Sequence, residues 1–166
     1  MVCWSWHDAR GTPVSESDTT VTAAQWLVPL AREVSATALI GREGGTLELP
    51  ETGLRLVVPA DAVDEPTPFR VTARAGRLVA YDFEPEGCEF APALQFEQDP
   101  MLLERPPHRG DRPSRMQLGY YRDPSAIDET NGVATVSELH HPIDGGARET
   151  FEVPLFSEYI VCWGVA

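Results

Sequence analysis

Three observations predict an all-β protein, an antiparallel β-sandwich of about nine or ten strands. Apolar and polar residues alternate at period two in segment after segment, the signature of a strand with one buried face. Turn-forming residues recur about every ten positions, the spacing of short strands joined by hairpins. Very little of the chain carries the 3.6-residue period of a helix.

Taken in order, residues 1–35 stand apart as a leader. Ser15 to Thr22 is polar and turn-like, and Ala23 to Val34 has helical character that Pro29 interrupts. The expectation is a flexible leader with a short docking helix. Trp4, Trp6 and Trp26 are unusual in a tail. Trp26 and Leu30 are expected to fold back onto the domain, the alternative being an exposed anchor for a partner.

The strand pattern begins at Ala36 and defines a domain over 36–166. Gly44-Gly45 opens T-L-E-L-P, with Leu47 and Leu49 on one face. Thr52-Gly53 turns into L-R-L-V-V-P, where Leu54, Leu56 and Val58 share a face. Pro59 to Pro68 is a connection with breakers at both ends. In F-R-V-T-A-R-A, Phe69, Val71, Ala73 and Ala75 point in. Turns at Gly76-Arg77 and Glu86-Gly87 bracket the next strand, and Leu94 and Phe96 face inward in P-A-L-Q-F-E-Q-D. Pro100 to Arg115, rich in Pro, Arg and Gly, is a long surface loop. M-Q-L-G-Y-Y-R-D follows, then hairpins at Asn131-Gly132 and Asp144-Gly145-Gly146, and a closing strand E-Y-I-V-C-W-G.

Composition narrows the function classes. At 166 residues the chain suits one domain, and roughly two thirds of the unfolded surface can be buried at this size. The net charge is −13, and all 13 basic residues are arginine. So acidic a chain repels phosphate backbones and anionic membranes, which argues against nucleic acid as a partner. No apolar run is long enough for a transmembrane segment. The absence of lysine, with abundant Ala, Gly and Pro, points to a GC-rich coding sequence and a bacterial source.

Cys3, Cys88 and Cys162 form neither a disulfide framework nor a zinc site. In an exported chain Cys88 and Cys162 are the pair that could form a disulfide. Each is otherwise read as a lone thiol, with Cys162 acting as a small hydrophobe. Met1 to Arg10 lacks the basic and apolar regions of a signal peptide. The protein is then cytoplasmic, or begins upstream, or is a mature form.

Three segments together resemble the ZU-five domain, named for zonula occludens and Unc-five proteins. Ile40 to Val63 has the Gly44-Gly45 strand entry, an apolar strand ending in Pro59, and a turn closing on Ala62-Val63. Phe83 to Leu94 is similar to the family's P-x-G-x-x-F-x-x-P frame through Pro85, Gly87, Phe90 and Pro92. Val153 to Gly164 resembles the family's closing strand, typically H-F-S-x-Y, through Phe156, Ser157 and Tyr159. The resemblance spans Ile40 to Ala166 and looks closest to short bacterial versions. It implies a noncatalytic module for protein interaction or a structural role, exported or envelope-associated, with an unknown protein partner and no cofactor. Phe90 and Phe96 are then core anchors, and Pro59 and Pro92 mark strand ends. Tyr159 is a corner residue whose hydroxyl bonds to backbone.

The same resemblance raises self-cleavage at Phe156-Ser157. In that chemistry a strained peptide lets the serine hydroxyl attack the preceding carbonyl, with a histidine moving the proton. Here Leu155 stands where the histidine would be. The nucleophile remains and the base is missing, so Leu155-Phe156-Ser157 is read as a structural corner.

Other constellations carry weaker signals. Glu138 and His140 share a strand face and supply two metal ligands at most, while His141 points the other way. Asp61, Asp64 and Glu65 cluster in one loop without EF-hand spacing. Glu84, Glu86 and Glu89 surround Gly87 with no sign of a cleft across which two carboxyls would work. His7 and Asp8 are uninformative. Tyr120, Tyr121 and Trp163 are the only aromatics suited to a carbohydrate platform, and the two tyrosines point opposite ways. Arg105, His108, Arg109, Arg112 and Arg115 concentrate positive charge in one loop of an acidic protein, the best contact surface the sequence offers, the alternative being a disordered loop. No P-loop, G-x-S-x-G, H-E-x-x-H or G-x-G-x-x-G motif is present.

Overall fold

The computed structural model describes residues 1–3 and 18–166. Trp4, Trp6, His7 and Asp8 lie outside the described residues. The first strands are β1 (Val2–Cys3), β2 (Thr19–Ala23), β3 (Gln25–Leu30), β4 (Val34–Ile40), β5 (Gly45–Leu49) and β6 (Leu54–Val58). Then come β7 (Thr67–Ala73), β8 (Gly76–Leu78), β9 (Ala80–Glu84), β10 (Cys88–Gln98), β11 (His108–Arg109), β12 (Arg112–Pro113) and β13 (Gln117–Tyr121). The last are β14 (Ile127–Asp128), β15 (Val133–Val136), β16 (Glu138–His140), β17 (Asp144–Gly145), β18 (Glu149–Leu155) and β19 (Glu158–Val165). This exceeds the expected count in part because five pieces are two-residue ladders and because β2 and β3 lie in the expected leader.

Two antiparallel sheets make the sandwich. The six-stranded sheet runs β17-β18-β10-β6-β5, with β1 beside the start of β10. The nine-stranded sheet runs β14-β15-β2-β19-β9-β7-β4, with β13 joined to β19 and β16. Period-two patterning does what the sequence requires. Leu47, Leu49, Leu54, Leu56, Val58, Phe69, Val71, Leu94 and Phe96 are all buried in the main core between the sheets. Ala75 lies beyond the end of β7 and is exposed. A second core on the other face of the nine-stranded sheet gathers Val21, Leu78, Tyr121, Val136, Ile160 and Cys162. Two buried cores explain why β19 is apolar on both faces, with Tyr159 and Val161 in one core and Ile160 and Cys162 in the other.

Five expectations need correction. Ala23 to Val34 is not a docking helix, and Ser15 to Thr22 is not a turn throughout. Thr19–Ala23 is a strand laid between β15 and β19, and Gln25–Leu30 pairs with β8. Pro29 is tolerated because β3 belongs to a two-stranded edge ladder, where a missing donor does little harm. Trp26 does pack back: it is buried and meets Tyr81 edge-on at 6.2 Å. The disulfide joins Cys3 to Cys88, not Cys88 to Cys162. Cys88 belongs to the main core and Cys162 to the second, so a sheet separates them. Pro92 is not a strand end. It sits inside β10, where the register to β18 shifts between Glu89 and Leu94, and a residue without an N–H suits such a break. Asp144-Gly145 is itself a short strand, and the turn follows it.

Candidate functional site

The corner at Leu155-Phe156-Ser157 joins β18 to β19. Phe156 is the hub of an aromatic cluster, with ring centroids 5.3 Å from Phe69, 5.2 Å from Phe83 and 4.8 Å from Phe90. Its peptide is held on both sides. Phe156 N donates to the Cys88 carbonyl at 2.9 Å, and its carbonyl accepts from Gly87 N at 2.8 Å. Gly87 reaches that position at φ 71°, where a side chain would be strained. The Ser157 carbonyl accepts from Phe83 N at 3.1 Å, and the residue is 5% exposed. Tyr159 buries its ring and donates its hydroxyl to the Leu155 carbonyl at 2.7 Å. Burial pushes that hydroxyl's pKa up, so it stays a donor. The framing residues Pro85, Gly87, Phe90 and Pro92 all lie on the chain segment that packs this corner; Glu84-Pro85 and Ala91-Pro92 are cis peptides.

The Gly44-Gly45 entry has a steric cause. Gly44 adopts φ 79°, and a Cβ there would lie 2.5 Å from the Val58 carbonyl oxygen. Pro59 follows β6 directly and accepts from Ala62 N, which closes the small-residue turn before Val63. In the same loop Asp61 and Asp64 diverge. Asp61 pairs with Arg42 at 2.8 Å, and Asp64 with the Met1 amino group at 3.7 Å.

The arginine loop is ordered at its base. Leu103 is buried and bridges to Trp26, and Glu104 N donates to the Gln25 carbonyl at 2.8 Å. β11 and β12 form a small hairpin at its tip, carrying His108 and Arg109 on one strand and Arg112 on the other. Arg105, His108, Arg112 and Arg115 are exposed.

Glu138 and His140 face the same way, with Nε2 3.7 Å from the carboxylate. His140 also meets the Tyr159 ring at 5.8 Å, and burial lowers its pKa against the pull of Glu138. Among the described residues no group of three potential metal ligands assembles. Of the three aromatics suited to a carbohydrate platform, Tyr121 and Trp163 are buried and Tyr120 is half-buried.

Two features were missed from sequence. The first is a row across the outer face of the nine-stranded sheet, Ser35-Thr72-Asp82-Glu158-Tyr121, set by the strand registers. It places two carboxylates directly opposite. Burial raises the pKa of Asp82, and Glu33 and Glu84 add to the effect against Arg74 and Tyr121. Burial also raises Glu158, and Asp82 adds to it. The second is the outer edge of β4. Among the described residues, β4 pairs with β7 alone. Its sequence V-S-A-T-A-L-I holds no charge and no proline.

This architecture defines the class: an all-β protein built as an antiparallel sandwich of two sheets. Residues 36–84, from β4 to β9, match the ZU5 domain, a family of protein-interaction modules. The match covers under a third of the chain; it takes in the first of the three segments that suggested the family and ends at the start of the second. No curated protein matches the chain. No helix among the described residues is long and apolar enough to cross a membrane.

Proposed function

We propose that this chain is a noncatalytic protein-interaction module of the bacterial cell envelope. The ZU5 match over residues 36–84 carries the reading. The corner supports it: Phe156-Ser157 is present, but Leu155 replaces the base that cleavage would use, and the peptide is clamped by ordinary backbone hydrogen bonds. The Cys3–Cys88 disulfide fits an oxidising compartment, where such bonds form and persist. The exposed arginines around β11 and β12 offer one contact surface on an otherwise acidic protein.

The test is affinity capture with the full chain as bait. A protein retained at stoichiometric ratio and displaced by free chain supports the reading. Retention of no protein from bacterial envelope extracts contradicts it.

A further inference from the structure

We propose that the outer edge of β4 is a strand-addition site. Its partner is an extended segment of another protein, uncharged and β-prone over about seven residues and basic at both ends. The proposal deepens the protein-interaction reading and rests on it.

The first observation is the edge itself. A free strand edge offers a row of unpaired backbone groups, and proteins blunt such edges with charge, proline, bulges or shortness. Nearly every other edge strand here is blunted. β5 carries Glu48 and runs into Pro50, β16 carries Glu138, β3 holds Pro29, and β14 and β17 are two residues long. β4 is the exception. It pairs with β7 in unbroken register over seven residues, Val34↔Ala73 to Ile40↔Thr67, and nothing along it discourages a new strand.

The second observation is incomplete cover. Val34, Ala36 and Ala38 point into the main core yet are only half-buried. Their neighbours on β7 are fully buried. Among the described residues no strand lies beyond β4, and the inward residues of one added there would complete the cover. On the other face Leu39 is 71% exposed. At the head of the strand a cleft of about 630 Å³ is lined by Val28, Leu30 and Val34 among others, with room for a side chain beyond the paired stretch.

The third observation is charge. On β7 Arg70 lies opposite Glu84, and just past its end Arg74 lies close to Asp82, so the sheet face beside the edge is balanced. The ends are not. At the head the cleft lining holds two carboxylates, Glu33 and Glu51, against one arginine, Arg32. At the tail Arg42 is taken by Asp61, which leaves Glu43 and Glu65 exposed beside it. An uncharged edge bracketed by surplus carboxylates, on a chain of net charge −13, favours a basic-flanked strand over a second copy of itself.

The test uses the full chain, amide NMR and two peptides of alternating Val and Thr, one with arginine at both ends and one with glutamate. The arginine peptide is expected to shift the amides of Val34 to Ile40. The glutamate peptide is expected to bind about tenfold more weakly, the effect of two exposed ion pairs gained or lost. Thr37→Lys with Leu39→Lys, both at exposed positions, should abolish the shifts with the fold intact by circular dichroism. Glu33→Gln with Glu43→Gln should keep binding and erase the preference between peptides. The proposal is overturned if the shifts map elsewhere, if the arginine peptide does not bind, or if the same amides respond only to the concentration of the chain itself. A partner captured equally by the wild-type and Thr37→Lys/Leu39→Lys chains also overturns the edge assignment, while leaving the interaction-module reading intact.

Discussion

Removing the Cys3–Cys88 bond should destabilise the fold by several kcal/mol. The bond closes a loop across a sequence separation of 85. Chain-entropy arguments put the stabilisation from a loop of that size at about 4.5 kcal/mol. It also pins β1 to β10 through the pairs Val2↔Glu89 and Cys3↔Cys88, beside the Phe156 corner. For a domain of this length, each kcal/mol moves the melting temperature by about 2–4 °C, so Cys3→Ala should lower it by about 10–15 °C. The assay is thermal denaturation followed by circular dichroism, with and without reductant. Wild-type protein plus reductant should melt close to Cys3→Ala, and reductant should leave that variant unchanged. Cys162→Ala should keep the redox shift, because Cys162 is a buried free thiol whose pKa burial pushes up to about 11. A reductant shift of under about 2 °C in wild type would refute the reasoning, as would a peptide map pairing Cys88 with Cys162.

Three further outcomes follow from local geometry. Gly44→Ala should cost about 2 kcal/mol or more in urea denaturation, because a left-handed φ of 79° and a contact of 2.5 Å with the Val58 carbonyl oxygen act together. Tyr81→Phe should cost about 1–3 kcal/mol, since the Tyr81 hydroxyl donates to Gln98 Oε1 at 2.7 Å and its loss strands a buried acceptor. The Asp82–Glu158 pair should make stability depend on pH. Both folded pKa values are raised, so the folded state binds more protons, and this contribution is present at low pH and lost as pH rises through the raised values. Glu158→Gln should therefore raise the melting temperature at neutral pH by about 1–3 °C and flatten its fall between acid and neutral pH.

Much of the fold was legible because a half-buried strand writes its period into the sequence. Leu54, Leu56 and Val58, or Phe69, Val71 and Ala73, could hardly be read otherwise. The Asn131-Gly132 hairpin forms as expected, with Gly132 at φ 67° and its N–H on the Asp128 carbonyl. Tyr159 also behaves as its corner position suggested. β2 and β3 were not legible. β2 lies between two neighbours with apolar residues on one face and threonines on the other, which reads as a polar stretch. β3 breaks the alternation with Leu27, Val28, Pro29 and Leu30. Cys3 and Cys88 are joined only by tertiary structure. The same holds for the candidate site. The lack of charge from Val34 to Ile40 is visible in the sequence, but that this segment is an edge is a fact of sheet order. Asp82 and Glu158 become neighbours only through register.

The central claim is that this chain acts as an intact binding module and not through chemistry at Phe156-Ser157. The most direct measurement is the intact mass of purified, denatured protein after prolonged incubation. A single species near 18.3 kDa is predicted. A species lacking Ser157 to Ala166 would mean that the chain cleaves itself without a histidine at position 155, and would contradict the account.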